Sequence, residues 1–202
     1  MPAFPRTVAL ALAIPAAAAL SAAATMLVSP AAHASLAPQA ATAALKIVKS
    51  PAWSDQGKWA DATCPAGTGL VGGGYKSHNS RNGVKHNVDA VDASAPSAPK
   101  PNTWAVKLHH GTAESYAMCA PGAPVPKVVV GKPGLDGHES VASCPKGMVS
   151  IGGGYNSDPV VTGAGAVVDF VQTSAPVEAA DANGWKVEMM HKHGTAYVMC
   201  VK

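Results

Sequence analysis

The sequence contains the same pattern twice, in the same order and at nearly constant spacing. The first copy consists of Cys64-Pro65-Ala66-Gly67, Gly72-Gly73-Gly74-Tyr75, Ser94-Ala95-Pro96, Trp104 and Cys119. The second consists of Cys144-Pro145-Lys146-Gly147, Gly152-Gly153-Gly154-Tyr155, Ser174-Ala175-Pro176, Trp185 and Cys200. Matching positions are 80 residues apart up to the Ser-Ala-Pro triplet and 81 residues apart from the tryptophan onward. A tandem duplication of this kind predicts two modules that share one fold.

The four cysteines occur two per copy, at matched positions. In an exported chain this pattern predicts disulfides rather than free thiols or metal ligands. Four cysteines allow three pairings, and the duplication favours Cys64 with Cys119 and Cys144 with Cys200, because each ancestral unit had to be stable alone. A bridge that closes a loop of about 55 residues stabilises the fold by about 4 kcal/mol in a chain-entropy treatment.

The N-terminus has the features of a secretory signal peptide. A single charge, Arg6, precedes a long apolar run and the small-residue site Ala32-His33-Ala34. We therefore predict a signal peptide over residues 1–34, a flexible Ala-rich arm over 35–44, and an extracellular, secreted protein with no membrane contact after cleavage. The formal charge is +3 and only 13% of residues are charged. The lysines are scattered, which argues against nucleic acid as a partner.

The rest of the chain has the pattern of an all-β protein. Short apolar runs are bounded by Gly, Pro, Asn and Ser, and Trp104-Ala105-Val106-Lys107-Leu108 alternates between large apolar and other residues, as does Trp185-Lys186-Val187-Glu188-Met189. The predicted fold is two tandem, disulfide-stapled antiparallel β-sandwich or barrel-like modules. They span residues 45–120 and 127–202, with a Pro/Gly linker at 121–126.

Each module is expected to open with a short strand. Leu45-Lys46-Ile47-Val48-Lys49-Ser50-Pro51 resembles Lys127-Val128-Val129-Val130-Gly131-Lys132-Pro133 when the two prolines are aligned. Six of the aromatic residues are duplicated, and we expect most of these in the core or against the disulfides: Tyr75, Tyr155, Trp104, Trp185, Tyr116 and Tyr197. The unpaired aromatic residues Trp53 and Trp59 then either cover the edge of the first module or form a binding patch specific to this protein.

No catalytic, cofactor or metal site is predicted. The glycine triplets are not followed by Lys-Ser or Lys-Thr, so they indicate a bulge or a close backbone approach rather than a phosphate cradle. His191 and His193 have the spacing of half a metal site, but His110 adjoins His109 in the first copy and the pair would point to opposite faces. These histidines are interpreted as polar strand ends or turns.

The matched carboxylates and the hydroxyl groups do not indicate an enzyme either. Asp89 and Asp169 occupy matched positions and would lie in two separate modules, so a structural hydrogen-bonding role is the preferred interpretation over a glycosidase pair. The chain has no Gly-x-Ser-x-Gly elbow. With all four cysteines assigned to bridges, no thiol nucleophile remains.

Several motifs together resemble secreted repeat modules of actinobacteria: Cys-Pro-x-Gly, the Gly-Gly-Gly strand, Ser-x-Pro, Gly184-Trp185-Lys186-Val187 and the closing Tyr-x-Met-Cys. The resemblance covers nearly the whole mature chain, although the first copy has Asn102-Thr103 where the second has Asn183-Gly184. The size, export and N-terminal extension are also similar to those of the small adaptor subunits of actinobacterial umbrella-shaped toxin particles. Those subunits join a large scaffold to lectin-like subunits, which implies an adaptor role.

We therefore expect a secreted, non-catalytic interaction protein that binds another protein in an extracellular assembly, through an exposed strand edge or the N-terminal arm. The alternative is a protein that binds glycans or cell wall, and a third hypothesis is a secreted hydrolase with an unrecognised site. The candidate partner-binding residues are Ile47, Trp53, Trp59, His110, His191 and His193.

Overall fold

A computed structural model describes residues 44–55, 57–78, 91–109, 111–135, 137–158, 171–178 and 183–202. These residues contain strands and no helix. The first copy forms six strands: β1 (Lys46–Lys49), β2 (Trp59–Thr63), β3 (Thr68–His78), β4 (Val91–Pro96), β5 (Thr103–Leu108) and β6 (Thr112–Pro121). The second copy repeats them as β7 (Lys127–Val130), β8 (Ser140–Ser143), β9 (Val149–Asp158), β10 (Val171–Pro176), β11 (Gly184–Met189) and β12 (His193–Val201).

Each copy builds two layers of three antiparallel strands. In the first copy the strand orders are β1-β6-β3 and β2-β5-β4, and in the second they are β7-β12-β9 and β8-β11-β10. The predicted all-β fold of two disulfide-stapled modules is confirmed. The opening strands need one adjustment, because Lys46 lies opposite Cys119 and Lys127 lies opposite Cys200. The register therefore matches Lys46 with Lys127, one residue away from the alignment on the prolines.

The alternating strands bury the residues that their periodicity predicts. Trp104, Val106 and Leu108 of β5 belong to the core cluster of the first module, and Val187 and Met189 of β11 belong to that of the second. Small side chains on the other layer, such as those of alanine, allow the two sheets of a module to approach closely. The core of each module is therefore formed mainly between the tryptophan-bearing strand of one sheet and the closing strand of the other sheet.

Both predicted disulfides are present. Cys64 pairs with Cys119 and Cys144 with Cys200, with sequence separations of 55 and 56 residues. Each bridge ties the chain just after the second strand of its module to the closing strand. The described residues contain no free cysteine. Two disulfides are compatible with an extracellular protein.

The middle glycine of each triplet lies against the tryptophan of its module. A Cβ atom on Gly73 would lie 2.2 Å from the Trp104 ring, and one on Gly153 would lie 2.4 Å from the Trp185 ring. Trp104 Nε1 donates to Ser94 Oγ at 3.2 Å, an arrangement that the second module repeats at 3.0 Å. The glycine, tryptophan and serine positions of the repeated pattern therefore form one packing unit, and the expected close approach is confirmed.

Asn102 ties three strands of the first module together. Its φ is 59°, a left-handed conformation that asparagine tolerates better than most residues. The side chain accepts a hydrogen bond from the Leu70 amide at 2.7 Å and donates one to the Thr68 carbonyl at 2.9 Å. Asn183 repeats the arrangement by accepting from the Ser150 amide at 2.5 Å. The repeated asparagine is thus a structural residue.

The two copies are joined by a strand pair between modules. β4 of the first pairs with β9 of the second, which makes one six-stranded sheet in the order β2-β5-β4-β9-β12-β7. Tyr155 Oη donates to the Val91 carbonyl at 3.3 Å, and Ser157 Oγ donates to the Asp92 carbonyl at 2.9 Å. A Cβ on Gly154 would lie 2.2 Å from the carbonyl oxygen of the facing strand. We call this strand pair and its side-chain contacts the internal junction.

Side chains also cross between modules. Met199 of the second module is completely buried and belongs to the core cluster of the first, against which Ile151 also packs. All described residues belong to one compact unit. The prediction that the duplicated aromatic residues are mostly internal needs a correction, because Tyr75 is 45% exposed whereas its equivalent Tyr155 contacts the facing strand at the internal junction.

Candidate binding cleft

The position of Trp59 follows from the alternation of β2. Ala60 and Ala62 point into the core, so the neighbouring residues Trp59 and Asp61 point away from it. Trp59 lies directly opposite Lys107 in β5, whose ammonium group is 5.5 Å from the Trp59 ring centre. This distance is typical of a cation–π contact. The Lys107 side chain therefore packs against the Trp59 ring, and Trp59 remains 48% exposed.

A cleft of about 270 Å³ opens beside this ring and is formed by both copies. Its first wall consists of Trp59, Asp61 and the turn at 96–100, and its second wall carries Asn156 from β9 and Tyr197 from β12. The second wall lies beside the first because β9 continues the sheet at the internal junction. The cleft therefore exists only because the two copies share a sheet.

One end of the cleft carries an ion pair between Asp61 and Lys100. The Lys100 side chain is largely exposed, and the Lys100 backbone amide donates a hydrogen bond to Ser97 Oγ at 3.2 Å. An exposed ion pair of this kind contributes little to stability. It does place opposite charges side by side at the cleft, where both can contact a polar ligand.

The second wall carries polar groups in a cleft whose lining is mostly apolar. Asn156 Oδ1 is buried and has no hydrogen-bond partner within the described residues. Burial raises the pKa of the Tyr197 hydroxyl, and a hydrogen bond from Asn156 opposes this rise. Tyr197 is therefore protonated at neutral pH and can donate. The Asn156 Oδ1 acceptor is itself shielded from the cleft, so the Tyr197 hydroxyl is the group of this wall that is assigned a donor role toward a ligand.

The cleft is specific to the first module. The register places Glu139 at the position equivalent to Trp59, Val141 at that of Asp61 and Lys186 at that of Ala105. Lys186 and Glu139 form an ion pair at 3.5 Å, which occupies the corresponding surface of the second module. The features that make the cleft apolar and aromatic are thus absent from the described part of the second copy.

The structure brings only one of the predicted binding residues into the cleft, namely Trp59. Ile47 on β1 is more than half exposed and Trp53, between β1 and β2, is exposed as well, but neither lines the cleft. His191 is exposed in the bend before β12, and His193 begins that strand. His110 lies outside the described residues, as do Asp89 and Asp169.

Sequence reasoning missed Asn156 and Tyr197 for different reasons. Asn156 is a polar residue of an ordinary strand, and its one distinguishing feature is that the first copy has Lys76 there. Tyr197 is duplicated as Tyr116, which favoured a core position. Tyr116 is not among the residues that line this cleft. In the part of the chain that the structure describes, no group of three or more His, Cys, Asp or Glu residues is arranged to hold a metal ion.

Comparisons with protein families and with curated proteins identify no relative of this chain, so its function is inferred from the fold and the cleft. No protein-family model matches the chain. No curated protein matches it significantly. Within residues 44–202, apart from the segments not described, no helix is long and apolar enough to cross a membrane. The structure therefore defines a class, namely an all-β, disulfide-stapled tandem-module protein with a cleft on one side of the shared sheet.

Proposed function

We propose that this is a secreted, non-catalytic interaction protein that binds another protein in an extracellular assembly. The disulfides and the predicted signal peptide support secretion. The partner contributes an extended segment that adds to the sheet edge at the start of the first module. An adaptor subunit of a toxin particle is one form that this role takes.

The observation that carries the proposal is a group of exposed apolar side chains on, or between, the two edge strands at the start of the first module. Ile47, Trp53 and Trp59 are all exposed and lie within a short stretch of sequence. β1 is the outer strand of its sheet and β2 ends the six-stranded sheet, so within the described residues each has one free edge. Free backbone groups beside apolar side chains are the two features that strand addition needs.

Charge narrows the chemistry of the partner. Lys46, Lys49 and Lys58 are exposed around the apolar side chains, against a single exposed carboxylate, Asp55. The Lys49 ammonium lies 3.7 Å from Glu114 and 5.2 Å from the Tyr116 ring centre, but its side chain is still more than half exposed. The best-matched partner segment is therefore extended and apolar, with flanking acidic residues.

Immobilised mature protein tests the proposal against secreted proteins of the producing cell. Wild-type protein is expected to retain one protein in stoichiometric amount, and Ile47→Lys is expected to abolish that retention while leaving the circular dichroism spectrum unchanged. Gly74→Val, on the opposite edge of the same sheet, serves as the matched control and should retain the partner. Absence of a stoichiometric partner, or retention by Ile47→Lys, would contradict the proposal.

The cleft supports a second candidate function, glycan binding. Trp59 offers an exposed ring face for stacking on a sugar, and the side chains of Asn156 and Tyr197 line the opposite wall, where the protonated Tyr197 hydroxyl can donate. A cleft of about 270 Å³ is at the lower limit of small-ligand sites and suits one sugar unit.

A glycan array separates the two candidates. Glycan binding predicts a positive array signal that is lost in Trp59→Ala and weakened in Asn156→Ala, with no effect of Ile47→Lys. The protein-partner proposal predicts a blank array for all of these proteins. The substitutions lie on exposed or partly exposed positions, so folding is checked by the near-ultraviolet circular dichroism of each variant.

A further inference from the structure

Each module has an unpaired strand edge equivalent to one side of the internal junction, and together these two edges could form a second junction of the same kind. At the internal junction, β4 of the first module pairs with β9 of the second. The equivalents of these strands are β10 in the second module and β3 in the first. Each is the outer strand of its three-stranded sheet, and within the described residues each has only one paired neighbour. The molecule therefore has one unpaired edge equivalent to each strand of the internal junction: the edge of β10 is equivalent to that of β4, and the edge of β3 to that of β9.

The first half, on β3, keeps the side chains that make the internal contacts. Gly74, Tyr75 and Ser77 are equivalent to the glycine, tyrosine and serine of β9 that contact β4. The contacts on the β4 side are made by backbone carbonyls, which β10 supplies at Val171 and Gln172 regardless of side chain. β3 therefore retains the side chains, and β10 the backbone carbonyls, that the contacts of the internal junction require.

Gly74 has no local reason to be glycine. Among the described residues, a Cβ on Gly74 would have no atom within 4 Å, and the backbone of Gly74 does not lie in the left-handed region. A Cβ on the equivalent Gly154 would lie 2.2 Å from the Ser94 carbonyl oxygen and 2.6 Å from Ala95 Cα. The absence of a side chain at Gly74 is explained if another strand approaches it as β4 approaches Gly154.

The apolar contacts repeat the same asymmetry. Met199 is 0% exposed because it packs into the core of the first module, whereas its equivalent Met118 is 36% exposed. On the receiving side, Cys64 and Trp104 are buried while Cys144 and Trp185 are only partly buried. The second module thus lacks the cover that the first module receives, and the first module exposes a side chain that would supply it.

We propose that copies of this protein join head to tail, with β10 of one copy pairing antiparallel with β3 of the next copy and repeating the internal junction. Thr173 would face Lys76 of the next copy and Ser174 would face its Tyr75, by analogy with the β4–β9 register. This contact uses two different surfaces, so it is heterologous and leaves a free edge at each end. The product is a row of copies that stays open unless the rotation from copy to copy closes it into a ring, and not a two-fold symmetric dimer. The proposal does not depend on the proposed function, which uses β1 and β2.

Analytical ultracentrifugation of the mature protein tests the proposal. The average mass of the wild type is expected to rise with concentration in steps of one chain. Gly74→Val blocks the β3 half, and Ala175→Gln blocks the β10 half at the residue equivalent to Ala95. Each variant alone is expected to be monomeric. Ile47→Lys, on the opposite edge of the first sheet, should associate like the wild type.

Mixing the two blocked variants tests the direction of the contact. Gly74→Val keeps an intact β10 and Ala175→Gln keeps an intact β3, so an equimolar mixture should form dimers and nothing longer. A wild type that is monomeric at every concentration would overturn the proposal. So would undiminished association of either blocked variant alone, or a mixture that stays monomeric while wild type associates.

Discussion

The repeated asparagine shows how one side chain stabilises a module. Asn102 and Asn183 each hold the start of the third strand of their module through an amide hydrogen bond. Neither residue stands out in the sequence, because asparagine before a tryptophan strand has the appearance of an ordinary turn. Its left-handed conformation and its three-strand contacts become visible only when the strands that it joins are placed together.

Asn102→Ala is expected to lower the free energy of unfolding by about 2–3 kcal/mol, because it removes three side-chain hydrogen bonds and leaves the Leu70 amide unpaired. Urea denaturation followed by circular dichroism measures this change. Asn102→Gly is the control for backbone conformation, since it keeps the left-handed geometry while losing the side-chain contacts. If Asn102→Ala is as stable as the wild type, these hydrogen bonds are not stabilising.

Tyr155 makes stability dependent on alkaline pH. Burial raises the pKa of its hydroxyl, and unfavourable electrostatic interactions with Tyr75 and Asp92 raise it further. Above the ordinary tyrosine pKa of about 10, the unfolded chain releases the proton while the folded protein keeps it. The unfolded state then binds fewer protons, so the free energy of unfolding falls as pH rises.

Tyr155→Phe is therefore expected to reduce the loss of stability above pH ~10, although it also removes the hydrogen bond to Val91. Ser157→Ala removes a neighbouring junction hydrogen bond without removing a titrating group, and should keep the wild-type pH dependence. Urea midpoints measured from neutral to alkaline pH give the comparison. Equal alkaline slopes for the wild type and Tyr155→Phe would refute the role assigned to burial.

The elements show where sequence reasoning succeeded. Alternation in β5 and β11 predicted which residues enter the core, and the duplication predicted the disulfides, because each follows from contacts within one module. The internal junction could not be predicted in the same way. The residues that make its side-chain contacts, Tyr155 and Ser157, have identical equivalents in the first copy. Where the copies do differ, as at Asn156 and Lys76, the difference does not indicate which strand edge is paired.

Removing the first disulfide tests the coupling of elements across the junction. Cys64→Ala with Cys119→Ala is expected to lower the free energy of unfolding by about 4 kcal/mol. Because Met199 packs into the core that this bridge borders, the whole chain should melt at a lower temperature rather than the first module alone. Calorimetry that shows the second module melting separately at its original temperature would contradict this expectation.

At the scale of the whole molecule, the shared sheet joins the two modules into one compact unit. The cleft illustrates why this scale is hard to reach from sequence. Trp59 was identified because it is unpaired, but its neighbours Asn156 and Tyr197 come from the other copy and reach it only through the six-stranded sheet. The two walls are far apart in sequence, and no local pattern relates them.

Met199→Ala should destabilise the entire chain. Loss of this fully buried side chain is expected to lower the free energy of unfolding by about 2–5 kcal/mol, in one transition that is the same by circular dichroism and tryptophan fluorescence. Met118→Ala is the matched control, because its side chain is partly exposed, and is expected to change stability by only about 0.5 kcal/mol. Equal effects of the two substitutions would mean that the modules are not coupled through Met199.

The connection between β6 and β7 is short, covering only residues 122–126, and this has a consequence for how such a protein arose. A single ancestral module carrying both kinds of strand edge would find a second module only by diffusion. Covalent fusion through a short linker holds the two edges near each other at an effective concentration on the order of millimolar. The internal junction then forms in every molecule as soon as it folds, however dilute the surroundings. Gene duplication would thus have converted a concentration-dependent encounter into a permanent part of the architecture.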